Sequence, residues 1–357
     1  MKFGLLAIFQ NFENRKTDAE VYGDVLDVME GAEGLGYDFL LATEHHFTDY
    51  SMCPDNTNVL TYLAAKTSSI KLGTGAIIVP WNDPLRCASK MLMLDQLSHG
   101  RAMLGIGRGL ARVEYELLGL DMGESRDRFD EGARMIINAL KTGFIESDGP
   151  MFPQKRAHLR PGPYDANWDD RIFCVGMSPA SVLEAAKLGA RLMSFSNTPW
   201  DVYRKNSLAP YLDNYEETHG KKAPPIVTGD LVIVHEDEER ARELATEHFS
   251  NYFYTVSKFY ELTGDHFSQM KGYESYARQA IKVKETGNDS LAASYVELNL
   301  YGTPEQVTEK IRERRRLLEH PFDIALIFEG GGIAAEDMAN TVRLFGEKVR
   351  PILATMD

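Results

Sequence analysis

The feature that most constrains this chain is an alternation of short apolar runs with longer amphipathic ones, sustained from the first residues to the last. Eight runs have the length and character of buried strands: Phe3–Phe9, Phe39–Thr43, Leu72–Val79, Ala102–Ile106, Ile172–Val175, Leu192–Phe195, Val227–Val234 and Ile324–Phe328. Between them lie helical patterns at Tyr22–Leu35, Val59–Lys66, Pro84–Leu97, Phe129–Leu140, Ser181–Leu188 and Glu238–His248, with a last one from Glu336 to Val349. Strand-helix repetition builds a parallel sheet covered by helices, and eight units close it on itself. The competing open, doubly wound sheet carries a glycine fingerprint after its first strand. Here Gln10-Asn11-Phe12 follows instead. The expected fold is α/β: a parallel eight-stranded TIM-type (β/α) barrel with insertions, a single domain over residues 1–357.

Two connections exceed simple turns. Residues 144–170 hold Gly149-Pro150, Pro153 and Pro161-Gly162-Pro163, the marks of a surface extension or hairpin. Residues 251–299 are rich in Tyr and Lys, and such an excursion either covers the barrel mouth as a lid or decorates the surface as solvated helix.

Charge narrows the partners. A net charge of −14 counts against nucleic acid, which needs clustered Lys and Arg. No run approaches the ~20 apolar residues of a membrane span. The apolar start, Met1 to Phe9, is short and lacks a signal-peptide cleavage pattern, so it reads as a buried strand. Cys53, Cys87 and Cys174 are odd in number and in no metal-ligand spacing, which points to neither disulfides nor zinc and to a reducing cytoplasm.

Chemistry-bearing residues cluster after strands, at the end of a barrel that faces its site. Glu44-His45-His46-Phe47 follows the second strand. Adjacent residues leave a strand in opposite directions, so one imidazole suits a working base and the other a structural partner. A bare His-His pair is as often structural as functional, and a metal site lacks a third ligand. Gly105-Ile106-Gly107-Arg108-Gly109-Leu110 follows the fourth strand, with its third glycine one position too early for a dinucleotide motif. It reads either as a tight turn or as room for a flat ring beside a phosphate-binding Arg108. Arg126, in Ser125-Arg126-Asp127-Arg128, is a second cation in a setting that is more often solvated. Gly176-Met177-Ser178-Pro179-Ala180-Ser181 leads from the fifth strand into a helix and reads equally as an anion site or a plain N-cap. Glu329-Gly330-Gly331-Gly332, after the eighth strand, is the rival phosphate position.

Taken together, these residues resemble the bacterial luciferase-like flavin-dependent monooxygenases. The likeness extends through Gly73-Thr74-Gly75-Ala76, Pro84-Leu85-Arg86, Leu94-Asp95-Gln96-Leu97-Ser98-His99-Gly100-Arg101, Leu159-Arg160-Pro161, Gly302-Thr303-Pro304-Glu305-Gln306 and Phe328-Glu329. It implies reduced FMN and O2 oxidising a small apolar organic substrate such as an aldehyde, ketone or terpene, with the flavin reduced by a separate reductase. No segment reads as a pyridine-nucleotide domain. The resemblance implies a phosphate held by Arg108, Arg126 and the Ser178 to Ser181 turn, in preference to the triple glycine. It also implies a non-proline cis peptide at Gly75-Ala76 beside the ring, with Gly75 allowing close approach and Gly107 standing where the luciferase large subunit has cysteine. Met177 replaces an acidic residue of that subunit. His45 is the implied acid-base residue, with His46 and Glu44 orienting or supporting it, and a homodimer is the family expectation. The alternatives are deazaflavin-dependent hydride transfer, known among relatives, and a non-catalytic flavin-binding partner subunit. A metal hydrolase built on His45 and His46 has the least support.

Overall fold

The computed structural model describes residues 1–264, 266–269, 273, 277 and 286–355. Eight parallel strands form the barrel: β1 Phe3–Ala7, β2 Phe39–Ala42, β3 Lys71–Thr74, β4 Ala102–Gly107, β5 Ile172–Val175, β6 Arg191–Phe195, β7 Ile226–Val234 and β8 Phe322–Ile327. Neighbours in sequence are neighbours in space, and β8 returns to β1 to close the cylinder. One lateral row shows the register: Leu5 faces Leu40, Leu40 faces Leu72, and Leu72 faces Ala102. Every residue of β1 and of β7 is buried. Strands covered on both faces lose the polar-apolar alternation, which is why they stand out as continuous apolar runs. Each buried leucine contributes roughly 1.5–3 kcal/mol, and one hydrophobic cluster runs from Phe3 to Leu353.

The structure corrects several boundaries. The third run is not one strand over Leu72–Val79: β3 ends at Thr74, a cis peptide joins Gly75 to Ala76, and a two-residue strand, Ile77–Ile78, pairs with β4. Helices begin where caps place them, ahead of the first apolar position. Thr17 and Glu20 form a capping box that starts the helix Asp18–Gly31, and Asp55 caps Asn56–Lys66. The last pattern divides into the helix Ala335–Leu344 and a π turn, Phe345–Val349.

Hydropathy did not reveal the short helix Arg112–Leu117 or the longer Ala209–His219 and Pro304–Leu318, among others. Pro304–Leu318 buries Val307, Ile311, Arg314 and Leu318 on one stripe. Arg314 breaks the apolar pattern because it enters the core to meet Asp230 of β7, both at most 2% exposed.

Residues 144–170 contain an antiparallel hairpin of Phe144–Ser147 with Gln154–His158. The excursion begins within the long helix Glu238–Phe259 and ends with the helix Asn288–Leu298. Residues 265, 270–272, 274–276 and 278–285 of the expected lid lie outside the described residues. Among the described residues no helix is long and apolar enough to cross a membrane.

Candidate active site

The C-terminal ends of parallel strands share one rim, so His45 after β2, Arg108 after β4 and Ser178 after β5 come to the same mouth of the cylinder. The loop after β2 is pinned first. Thr43 and Ser51 hydroxyls lie 2.9 Å apart, and His45 N–H donates to the Cys53 carbonyl at 3.0 Å. His45 Nδ1 then lies 3.2 Å from both carboxylate oxygens of Glu114. Glu114 is fully buried on the short helix Arg112–Leu117 and also accepts the His46 N–H at 2.6 Å. A carboxylate against Nδ1 selects the Nδ1–H tautomer and leaves Nε2 as the exchanging nitrogen. The Tyr260 hydroxyl lies 3.3 Å from that Nε2. The rings of Tyr50, Phe259, Tyr260 and Trp81 surround the imidazole edge-on, with centroids 5.0 to 6.4 Å away.

Glu44 and His46 turn elsewhere. Glu44 accepts the Ile78 N–H and the Asn82 Nδ2–H, each at 2.8 Å, and lies 3.3 Å from His46 Nε2. That hydrogen bond raises the pKa of His46, against the opposing effect of burial. Glu44 therefore ties the end of β2 to the turn after the cis peptide. Glu44 and His46 thus pair with each other and with this turn, while the carboxylate beside His45 Nδ1 is that of Glu114.

Asn56 reinforces the cis segment, donating through Nδ2 to the carbonyls of Ala42 and Ala76 at 3.2 Å. A Cβ at Gly107 would lie 3.3 Å from Ile78, 3.6 Å from Ala76 and 4.0 Å from Val175. These residues form an apolar floor that the missing side chain leaves low enough for a planar ring. Gly75 has a different reason to lack a side chain. Its Cβ position is taken by Leu6 at 2.8 Å and Leu41 at 3.0 Å, so its bareness serves the barrel interior.

A cation and two hydroxyls converge on the turn after β5. Ser178 caps the helix Pro179–Lys187, its oxygen accepting the Ser181 N–H at 3.3 Å, and the two hydroxyls lie 3.0 Å apart. Arg126 Nη2 donates to the Ser181 hydroxyl at 3.3 Å. A helix N-terminus with a mostly buried guanidinium beside it suits a phosphate. Arg108 is also buried, with its guanidinium 3.9 Å from the Tyr273 ring centroid. The Tyr273 hydroxyl reaches Ser125, next to Arg126, at 3.1 Å.

The triple glycine is approached closely by protein, with a small cavity of about 70 Å³ left between Gly330, Gly332, Phe12 and Arg15. All three residues have positive φ, and a Cβ on Gly331 would lie 1.9 Å from the His248 carbonyl oxygen. Gly330 abuts Tyr252 and Gly332 abuts Phe12. Glu329 accepts the N–H groups of Ile8, Phe9 and Gln10 at 2.7, 2.8 and 3.3 Å, and burial pushes its carboxyl up to about 7.

A family profile described as luciferase-like monooxygenase matches residues 1–320. The chain belongs to that family. Among its relatives is the alkanal monooxygenase alpha chain of Photorhabdus luminescens, 26% identical over 363 residues, with 99% of this chain and 98% of that one covered. The crystal structure of monooxygenase RslO1 from Streptomyces bottropensis superposes with a TM-score of 0.78 at 27% identity, covering 99% of this chain and 100% of that one. The oxygenating constituent of 3,6-diketocamphane monooxygenase from Pseudomonas putida, in complex with FMN, shares the fold with a TM-score of 0.77 at 17% identity and 98% coverage of both chains. This luciferase-like monooxygenase is thus a flavin-related oxidoreductase of a family that uses an organic substrate and O2.

Sequence reading of the monooxygenase missed Glu114 and Tyr260. Glu114 lies 69 positions from His45 in a charged run that looks solvated, and Tyr260 lies 215 positions away. Only folding makes them neighbours of the imidazole. Among the described residues no cluster of three His, Cys, Asp or Glu side chains can hold a metal. A cavity of about 520 Å³ lies outside the barrel, between the helices Glu238–Phe259 and Pro304–Leu318. Its charges answer one another, Arg316 with Glu309 and Glu313, and Arg242 with Glu238. The mouth, where chemistry-bearing residues converge, is the better candidate site.

Proposed function

We propose that this chain is the oxygenase component of a two-component system in which a separate reductase supplies reduced FMN. Arg126, Ser178 and Ser181 hold the flavin phosphate with Arg108 alongside, and the ring lies over the floor of Ala76 and Gly107. The residues present fit the group: a cation and a hydroxyl pair stand at a helix N-terminus, on the same rim as a glycine-lowered apolar surface. Bound reduced FMN supplies the electrons that activate O2. The protein excludes water with its aromatic wall, orients a small apolar aldehyde, ketone or terpene, and moves a proton at His45 Nε2. One observation carries this reading: buried Glu114 holds Nδ1 of His45 and so presents Nε2 as the acid-base atom. Glu44 and His46 serve as the braced wall of the site. Three buried free thiols, Cys53, Cys87 and Cys174, suit a reducing cytoplasm, and a homodimer is the assembly we propose.

The test is His45→Ala, assayed with reduced FMN, O2 and a panel of aldehydes, cyclic ketones and terpenes. Product yield is expected to fall about 100-fold or more, with flavin affinity within about threefold. Unchanged product formation would overturn the role of His45. Substrate reduction by reduced deazaflavin without O2 consumption would overturn the FMN assignment.

A further inference from the structure

One short helix reaches both sides of His45. Arg112–Leu117 carries Glu114, whose carboxylate oxygens lie 3.2 Å from His45 Nδ1. The same helix carries Arg112, which donates through Nε and Nη2 to both carboxylate oxygens of Glu261 at 2.9 and 2.8 Å. Glu261 directly follows Tyr260, whose hydroxyl lies 3.3 Å from His45 Nε2. The remaining Nη1 of Arg112 pairs with Glu116 one turn along its own helix, which fixes the direction in which the guanidinium fork points.

Glu261 occupies a backbone position where glutamate is out of place. The helix Glu238–Phe259 ends in a Schellman motif: Leu262 N–H donates to the Ser257 carbonyl at 3.0 Å, and Glu261 N–H to that of Lys258 at 3.2 Å. The left-handed position of this motif usually belongs to glycine, which has no Cβ to clash. Here it is Glu261, at a φ of 49°. The stability of the helix end therefore does not account for the residue, whereas its carboxylate does. A bidentate grip on a guanidinium sets orientation as well as distance. The two side chains are 33% and 38% exposed, and ion pairs at such a surface add little to stability, so what this pair fixes is position.

The position at stake is that of Tyr260. Glu114 only accepts, so Nδ1–H of His45 donates to it, Nε2 of the neutral ring is an acceptor, and the Tyr260 hydroxyl donates to Nε2. Tyr260 is the C-cap residue of its helix, and helix ends fray. The pair with Arg112 ties this end to the helix that holds the other nitrogen.

We propose that Arg112 and Glu261 are positioning residues for His45: by clamping the end of the helix Glu238–Phe259 they aim the Tyr260 hydroxyl at Nε2, so that one short helix governs the hydrogen bonds of both imidazole nitrogens. This deepens the acid-base reading of His45 and rests on it. No covalent bond forms or breaks in the clamp.

The experiment turns on Glu261→Gly, because glycine is the residue this helix end prefers. The full chain, labelled with 15N-histidine and free of flavin and substrate, is compared with Tyr260→Phe and with His45→Ala, whose missing signals assign the two ring nitrogens. In Glu261→Gly the Nε2 resonance is expected to move toward that of an unbonded imidazole nitrogen by at least half the displacement in Tyr260→Phe, with Nδ1 unmoved. The urea midpoint should equal or exceed that of wild type. Turnover number is expected to fall about fivefold, with KM and flavin affinity within about twofold. Arg112→Gln should displace Nε2 to the same extent. An unmoved Nε2 resonance in Glu261→Gly or Arg112→Gln overturns the proposal. Equal movement of both nitrogens in Glu261→Gly also overturns it, since the pair would then prop up the whole rim. Should Glu261→Gly fold poorly, the isosteric Glu261→Gln decides in its place: it loses one leg of the fork, and no displacement there overturns the clamp. Full turnover in His45→Ala would fault the acid-base reading, while a displaced resonance would still uphold the clamp.

Discussion

Two turns at the barrel mouth, Gly176 to Ser181 and Glu329 to Gly332, look alike as sequence: each follows a strand, each is rich in small residues, and each is a plausible anion cradle. In the structure they are opposites. The first gathers the Arg126 guanidinium and the Ser178 and Ser181 hydroxyls at a helix N-terminus. The second is crowded by its own chain, with His248, Tyr252 and Phe12 occupying the Cβ positions that the glycines leave vacant and only about 70 Å³ left beside them. A glycine run therefore signals a close approach without saying what approaches. At Gly331 the approaching group is the backbone of the helix Glu238–Phe259, with His248 Nδ1 2.9 Å from the Gly331 carbonyl.

The sharpest way to break this comparison is Gly331→Ala. Its φ of 64° and the 1.9 Å approach to the His248 carbonyl predict a loss on the order of 4 kcal/mol in urea unfolding. An unchanged midpoint would mean that the turn is not crowded as described. Glu329→Gln is the next largest: an amide nitrogen replaces one acceptor for three backbone N–H donors, at a cost of about 2 kcal/mol.

The same carboxyl has a pH signature. It titrates at about 7 in the folded chain and near ~4.3 when unfolded. The folded state thus holds an extra proton between those values, so this contribution is full below ~4.3 and is lost as pH rises to about 7. Urea midpoints followed from pH 5 to pH 8 should fall more steeply for wild type than for Glu329→Gln. Parallel curves would contradict the assignment.

At the other turn the effects should appear in flavin binding. Arg126→Ala is expected to weaken reduced FMN about 10- to 30-fold, equivalent to about 1.5–2 kcal/mol, with the unfolding midpoint nearly unchanged. Equal affinity in calorimetry would transfer the phosphate away from this turn. Ser178→Ala is the smallest, about 1 kcal/mol of stability from the lost N-cap, with a few-fold loss of flavin affinity. A stability loss with no change in affinity would make Ser178 a cap alone.

Much of the barrel was legible because parallel strands buried on both faces are continuous apolar runs, and β5, Ile172–Val175, appears residue for residue. Strand three was drawn too long because apolar residues resume at once after Gly73-Thr74-Gly75, so periodicity does not mark where pairing stops, although the resemblance implied the cis peptide at Gly75-Ala76. Pro304–Leu318 was missed because Arg314 occupies a core position that hydropathy scores as solvent. At the mouth, His45 and Ser178 were singled out because they follow strand ends, whereas Arg126, on the helix Ser125–Thr142, was assigned to it only by the family resemblance. Glu114 sat unnoticed between Arg112 and Glu116, since nothing in a charged run tells which carboxylate turns inward.

Sequence by itself determined the cylinder and the rim, since periodicity and strand order are local or cumulative properties of the chain. It could not determine which side chains meet across that rim. That His45 takes Glu114 and Tyr260 as partners, that Glu44 braces the cis turn instead, and that the triple glycine admits a helix were decided only by tertiary structure. The physical reason is that hydrogen bonds and Cβ clearances depend on distances of a few ångströms between residues far apart in sequence, and only packing sets those distances.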